Sequence, residues 1–304
     1  MMKTTLLFLT VSLWTVSVSA EVVPFPATFT VKDIDTNGVM IHTRVGGKGP
    51  AVLMLHGFGE SGDMWQPLAI ALAKNHTVIV PDLRGMGLSS HPAGGFDKKN
   101  QAIDMAGVLN TLHVKSFDLV AHDIGNMVAF AMATQMPDRI AHLVMIDAPI
   151  PGVGPWDEIL KSPLLWHFRF GGLDMERLVA GRERIYLDRF WNEFSAHRER
   201  FDESSRNHYA ALYALPGGMH SGFAQFAAFD QDVVDNRSWL AANPKLAMPV
   251  LAVGGEKSFG PMMATVMRAA ATNVTEDVIS DSGHWVMEEN PSVAIAHITA
   301  FLAK

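Results

Sequence analysis

A mostly parallel sheet covered by helices on both faces and interrupted by one helical insertion is the fold class that three features of this 304-residue chain predict. Continuous apolar runs alternate with helix-like segments between residues 51 and 148, and again from 249 onward. At Asp123 an apolar strand, a turn of small residues and a helix-like segment meet. Residues 149–235, helical in character and crowded with aromatics, break the alternation. Strands of a parallel sheet read as unbroken apolar runs because both faces are covered, and each crossover requires a helix.

Taken in order, Met1-Met2-Lys3 gives a positive start, residues 4–18 carry no charge, and Val18-Ser19-Ala20 offers small residues at a cleavage point. That is the layout of a secretory signal peptide, so residues 1–20 are expected to direct export to the periplasm or medium. The alternative is an uncleaved membrane anchor, for which the apolar stretch falls short of the ~20 residues a span needs. Phe29 to Ile34 alternates as a strand, and Asn37-Gly38 turns the chain into a second strand at 39–42. The expected alternation then runs through strand 51–57, helix 66–75, strand 76–82, helix 99–112, strand 117–123, helix 126–136 and strand 142–148. Strand 249–255, a helix near 262–272, strand 274–279 and a closing helix from Ser292 complete it. The expected division is therefore a signal peptide over 1–20, a core over 21–148 and 236–304, and a cap over 149–235.

Composition excludes several classes. Hydrophobic residues make up 48% and charged residues 18%, which suits a globular chain. A net charge of −7 without a basic run gives nothing to grip a phosphate backbone, so no nucleic-acid partner is expected. The absence of cysteine removes disulfides, a thiol nucleophile and Cys-based metal sites. No His-Glu-x-x-His or comparable ligand spacing occurs, and neither a metal nor a cofactor is expected.

The chemistry centres on Ala121-His122-Asp123-Ile124-Gly125. Small-x-nucleophile-x-Gly between strand and helix is a nucleophile elbow, whose small residues let the backbone turn sharply and lift the central side chain above the sheet. The competing reading makes Asp123 a helix cap. A carboxylate at that point suits displacement at a saturated carbon, giving an alkyl ester that water must then hydrolyse. That second step needs a general base and an oxyanion hole. Of thirteen histidines, His284 in Asp281-Ser282-Gly283-His284-Trp285 has the position expected of the base. Its carboxylate partner is Asp147, at the end of one strand, or its rival Glu256, at the end of the next. The backbone N–H groups of Phe58 and Ile124 are nominated for the oxyanion hole. The turn Asp82 to Ser90 is read as structural. Aromatics of the cap, among them Trp156, Trp166, Phe168, Phe190 and Phe226, either fill its own core or wall an apolar pocket.

Together these residues resemble the α/β-hydrolase superfamily over essentially the whole chain after residue 20, and Asp123 with His284 points to its epoxide hydrolase and dehalogenase branch. VAHDIG (120–125), IDAPIP (146–151) and WHF (166–168), with the export signal, most closely resemble the secreted Cif-type epoxide hydrolases. The resemblance implies an α/β-hydrolase fold and an exported enzyme that opens an apolar epoxide to a vicinal diol. It favours Asp147 as the acid and makes His167 a donor to the departing oxygen. A tyrosine that works with that histidine in the group is replaced here by Phe226, leaving Tyr213 or Tyr209 as substitutes. Dehalogenation of a haloalkane or haloacid is the competitor, because halide leaves without a proton and Trp166 with His167 offers hydrogen-bond donors. Against it, Ile124 stands where haloalkane dehalogenases carry Trp and fluoroacetate dehalogenases carry Arg. Gly59 likewise replaces the proline of the epoxide hydrolase HGFP motif. A noncatalytic ligand-binding relative is the third possibility. The expected partner is a small apolar epoxide or organohalide; no stable membrane association is expected, and a homodimer is left open.

Overall fold

Residues 24–304 are described by the computed structural model, so the expected signal segment lies outside the described residues. The strands are β1 (Phe29–Thr36), β2 (Val39–Gly47), β3 (Ala51–Leu55), β4 (Thr77–Pro81), β5 (Phe117–His122), β6 (Ile140–Ile146), β7 (Val250–Gly255) and β8 (Val274–Ile279). They form one sheet in the order β1-β2-β4-β3-β5-β6-β7-β8. Asn37 and Gly38, with φ of 48° and 75°, supply the left-handed pair that a tight hairpin requires, and β1, β2 and β4 pair antiparallel. From β4 through β3 to β8 all pairs are parallel.

Helices α1 (Gln66–Leu72), α2 (Lys98–Thr111) and α3 (Ile124–Gln135) carry the first crossovers. After β6 the chain leaves the sheet for α4 (Trp156–Ile159), α5 (Leu173–Val179), α6 (Glu183–Glu193), α7 (Glu203–Tyr213), α8 (Gly218–Ala227) and α9 (Phe229–Ala242). It returns to β7 and ends with α10 (Met262–Ala270), α11 (Val286–Glu289) and α12 (Pro291–Leu302). The last helix of the insertion thus continues past residue 235 to Ala242.

Strand periodicity explains the two cores. Leu53 and Leu55 of β3 pack into the cluster on one face, with the cap aromatics, while Val52 and Met54 enter the cluster on the other. Both clusters are fully buried here, so the strand shows no polar alternation in its sequence. The insertion is fastened to the core at the start of α2. There the buried Lys98 donates its Nζ to the Gln225 carbonyl and pairs with Asp232 at 3.3 Å, and Gln101 bonds Gln225 at 2.7 Å. The turn after β4 is held by Asp82, which accepts from Arg44 and the Gly62 and Leu88 N–H groups, while Arg84 pairs with Asp104.

The strands end earlier than their apolar runs suggest. β5 stops at His122 and β6 at Ile146, because Asp123 and Asp147 adopt φ of 51° and 52°. A left-handed residue cannot continue a ladder. Both carboxylates are therefore carried just beyond the C-terminal edge of the sheet, where open α/β sheets place their sites.

Candidate active site

Asp123 owes its position to the small residues around it. A Cβ on Gly125 would lie 2.3 Å from the Leu55 carbonyl oxygen, and one on Gly57 would lie 2.3 Å from the Asp123 Cβ. Glycine is therefore required at both points if the turn is to pass under the first central strand. Asp123 itself is a non-glycine residue in a sparsely populated conformation (φ 51°, ψ −121°), the kind of strain that collects at functional sites. Its side chain makes no capping bond to α3, so the helix-cap reading fails. Instead the Phe58 N–H donates to Asp123 Oδ1 at 2.7 Å. Ile124 opens α3, and an N–H in a helix's first turn has no intrahelical partner. Of the two N–H groups nominated for an oxyanion hole, that of Phe58 thus holds one carboxylate oxygen, that of Ile124 opens the helix beside it, and the other oxygen, Oδ2, is turned elsewhere.

That other oxygen faces His284. Its Nε2 lies 3.8 Å from Asp123 Oδ2, and its Nδ1 lies 2.9 Å from Asp147 Oδ2. Asp147 is completely enclosed, and its Oδ1 accepts the N–H groups of Gly255 (2.7 Å) and Phe259 (3.1 Å). Three donors orient one carboxylate, which in turn orients the imidazole. Glu256, the rival, is exposed and accepts the Asp281 N–H at 2.9 Å; it has no contact with His284. The side chain of the residue after β7 points to solvent, whereas that after β6 points into the cleft.

Burial alone would lower the basicity of His284, but the hydrogen bond and charge of Asp147, then the charge of Asp123, push its pKa up to about 9. At neutral pH the imidazole is thus protonated beside two carboxylates. Removing the Asp123 charge must lower it. An Asp123→Asn variant is expected to show His284 titrating at lower pH than wild type in an NMR titration of the ring; an unmoved midpoint would mean that Asp123 does not act on it.

The cleft between the sheet edge and the cap holds a cavity of about 70 Å³. Phe58, Phe168, Phe190, Phe194, Phe226 and Phe259 wall it, with Asp123, His167 and His284 as its functional groups and Ser258 at the exposed rim. No arginine or lysine is among the lining residues. Trp156 and Phe229 stand behind Phe168 as packing, so the cap aromatics divide between pocket wall and cap core. His167 sits edge-on to Phe190 and Phe226, and its Nδ1 lies 3.2 Å from the Leu164 carbonyl. Burial in that aromatic surrounding lowers its pKa to about 4, against the pull of the Asp123 charge. The ring is accordingly neutral at pH 7, with its proton on Nδ1.

The two tyrosines nominated as donors are not in this wall. Tyr213 OH accepts the Gly59 N–H at 2.9 Å behind Phe58, and the fully buried Tyr209 lies behind the catalytic loop without a hydrogen-bond partner among the described residues. Helix spacing places both on the inner face of α7, but toward the core rather than the cleft. Trp166 is also outside the wall, 37% exposed and stacked under Arg189. Sequence reasoning passed over Glu60, His122 and Glu288, which converge behind His284. Their only sequence signal is adjacency: Glu60 follows His56-Gly57-Phe58-Gly59, His122 precedes Asp123, and Glu288 lies four residues after His284.

A family model described as alpha/beta hydrolase fold matches residues 50–291, the span that holds every group above. The chain belongs to the alpha/beta hydrolase fold family. Among characterised members, a soluble epoxide hydrolase of a Corynebacterium species is 30% identical over 275 residues, covering 88% of this chain and 95% of that one. A fluoroacetate dehalogenase of a Burkholderia species is 38% identical over 206 residues, 64% of this chain and 67% of its own. This hydrolase therefore lies in the epoxide hydrolase and dehalogenase branch. A solved structure of an aCif variant superposes with a TM-score of 0.86 over 93% of this chain and 91% of its own, at 24% identity. That likeness is one of fold, and the identity to the epoxide hydrolase above is higher, so the family's Cif-type group is not singled out as the nearest.

Proposed function

We propose that this hydrolase opens a neutral, apolar epoxide to a vicinal diol through an alkyl ester on Asp123, hydrolysed by water that His284 activates. The observation that carries the reading is the division of labour between the two Asp123 oxygens. Oδ1 is held by the Phe58 N–H, and Oδ2 faces the cleft beside His284. In this reading Oδ2 attacks a ring carbon, the C–O bond of the epoxide breaks, and the alkoxide takes a proton. The ester is neutral, so His284 loses the Asp123 charge 3.8 Å from its Nε2, releases its extra proton and becomes a competent base. Water then gives His284 a proton and attacks the ester carbonyl, whose Oδ1 becomes an oxyanion already seated on the Phe58 N–H. The Cγ–Oδ2 bond breaks, the departing alkoxide takes back the proton held by His284, and the diol leaves carrying the oxygen that began as Oδ2.

His167 is the donor to the alkoxide. Because the resting ring keeps its proton on Nδ1, it must first be protonated at Nε2, so ring opening draws on the small imidazolium fraction. A second reading, dehalogenation, is favoured by Phe226, which lines the cleft and has no proton to give. The wall has no arginine or lysine, so a haloacid carboxylate would find only the His284 imidazolium, already held by Asp147, and that reading favours neutral organohalides. Residues 1–20 support export as the proposed location.

The deciding experiment is a single turnover in heavy-oxygen water with enzyme in excess. The label is expected in the Asp123 carboxylate and not in the first diol formed. Label appearing directly in that diol would exclude the ester.

A further inference from the structure

Behind His284, away from the cleft, lies a buried cluster that the reaction above does not use. Glu60 and His122 are completely buried, Glu288 is 9% exposed, and the two glutamates are within hydrogen-bonding reach of one another. His122 Nε2 lies 2.9 Å from the main-chain carbonyl oxygen of His284, and the two rings are 4.5 Å apart. A carbonyl only accepts, so Nε2 must carry hydrogen. In a neutral ring Nδ1 is then a lone pair, and it lies 3.2 Å from Glu60 Oε2. Two acceptors face each other there unless a proton lies between them. The same holds one step further back. With both carboxylates ionised, Glu60 Oε1 and Oε2 and Glu288 Oε2 have no partner among the described residues, a costly arrangement for buried groups.

The contacts require a proton between His122 Nδ1 and Glu60 Oε2, and burial, which keeps His122 neutral, places it on the carboxyl. Glu288 donates to Glu60 Oε1, Glu60 donates from Oε2 to His122 Nδ1, and His122 donates from Nε2 to the His284 carbonyl. We propose that Glu288, Glu60 and His122 form this oriented donor chain, with both carboxyls protonated, and that it positions the His284 backbone and ring against the Asp123 ester. These are positioning residues; none lines the cleft. The inference rests on the ester reading only for its kinetic consequence.

The surrounding charges agree. Burial pushes both glutamates toward the protonated form and holds His122 neutral. From the elements packed around them, Asp123 disfavours ionisation of Glu60, while protonated His284 favours it; Tyr209 of α7 stays neutral beside both glutamates. Asp63 and Arg44 lie farther out, paired with each other. As pH rises, Glu60 is the link that ionises, and the chain then loses its donor to His122.

Infrared difference spectra test the proton placement without substrate. Wild type minus Glu60→Gln at neutral pH is expected to show the carbonyl band of a protonated carboxyl; a carboxylate band instead would overturn the proposal. Kinetics test the positioning, with styrene oxide as probe and ester formation and decay followed by quenched intact mass. Glu60→Leu, which gives His122 no donor, is expected to slow ester hydrolysis about a hundredfold while alkylation is unmoved. Glu60→Gln, whose amide donates to His122 and accepts from Glu288, is expected to restore most of that rate and to lose the alkaline decline that wild type shows. Equal rates in the Leu and Gln variants, or an alkaline decline retained by Gln, would overturn the positioning role. Failure of any ester to form would instead count against the ester reading and leave the infrared result to decide the proton chain.

Discussion

Replacing His284 by Gln is expected to leave substrate bonded to Asp123, visible as an intact-protein mass increase equal to one substrate molecule. Attack by Oδ2 does not need the imidazole, since Asp123 already has its Oδ1 on the Phe58 N–H. Hydrolysis does need it, and loss of a general base of this kind slows a step about 10³-fold. The adduct should therefore form at nearly the normal rate and decay over hours. Glutamine can donate its amide N–H to Asp147 but cannot take a proton from water. A variant that turns over epoxide without accumulating adduct would remove His284 from the hydrolytic step.

Phe226→Tyr is expected to give the largest gain. The ring lines the cleft 5.2 Å from His167 and 4.9 Å from Phe58, centroid to centroid, so a hydroxyl at its tip would enter the space where the departing oxygen collects. Ring opening now depends on a histidine whose pKa is about 4. A phenol carries its proton at every pH below its own ionisation, and a positioned donor is worth about a hundredfold in such a step. Alkylation by epoxides should rise by that order, and its dependence on acid should flatten. Alkylation by a chloroalkane or bromoalkane should not change, because halide departs unprotonated. Equal effects on the two classes would mean that proton supply does not limit ring opening.

Much of this site was legible because its parts are local in sequence. The elbow at Asp123 is written in five consecutive residues, and the glycine whose Cβ would strike the Leu55 carbonyl is one of them. Asp147 and His284 were legible as residues that follow strands, since the sheet brings all such points to one edge. The choice between Asp147 and Glu256 was open because the direction of a side chain one residue past a strand depends on its φ, which spacing does not report. Tyr209 and Tyr213 failed for a related reason. Their spacing puts them on the inner face of a helix, but the rotation of that helix relative to the cleft is set by packing among cap helices that share no sequence period. The chain of Glu288, Glu60 and His122 was invisible for a third reason: its members come from α11, the loop after β3 and the end of β5, and only the folded sheet makes them neighbours. The apolar runs also overstated the strands at Asp123 and Asp147, where a single left-handed residue ends the ladder.

The fastening of Lys98 to Asp232 and Gln225 has a bearing on how a molecule enters. Prying the whole insertion off the sheet would strand a desolvated ammonium and its counter-ion, and severing such a pair from one side costs about 3–5 kcal/mol. The α8–α9 corner is thus one fixed point of the roof, and the pairs of His197 and Arg200 with Asp281 and of His208 with Asp63 fix another side. Ingress falls to the margin where the 3-10 segment Pro163–Arg169 and the Ser258–Phe259 loop line the cleft together, and where no ion pair joins the two among the described residues. Guests would arrive by the yielding of that eave, with the riveted corners unmoved.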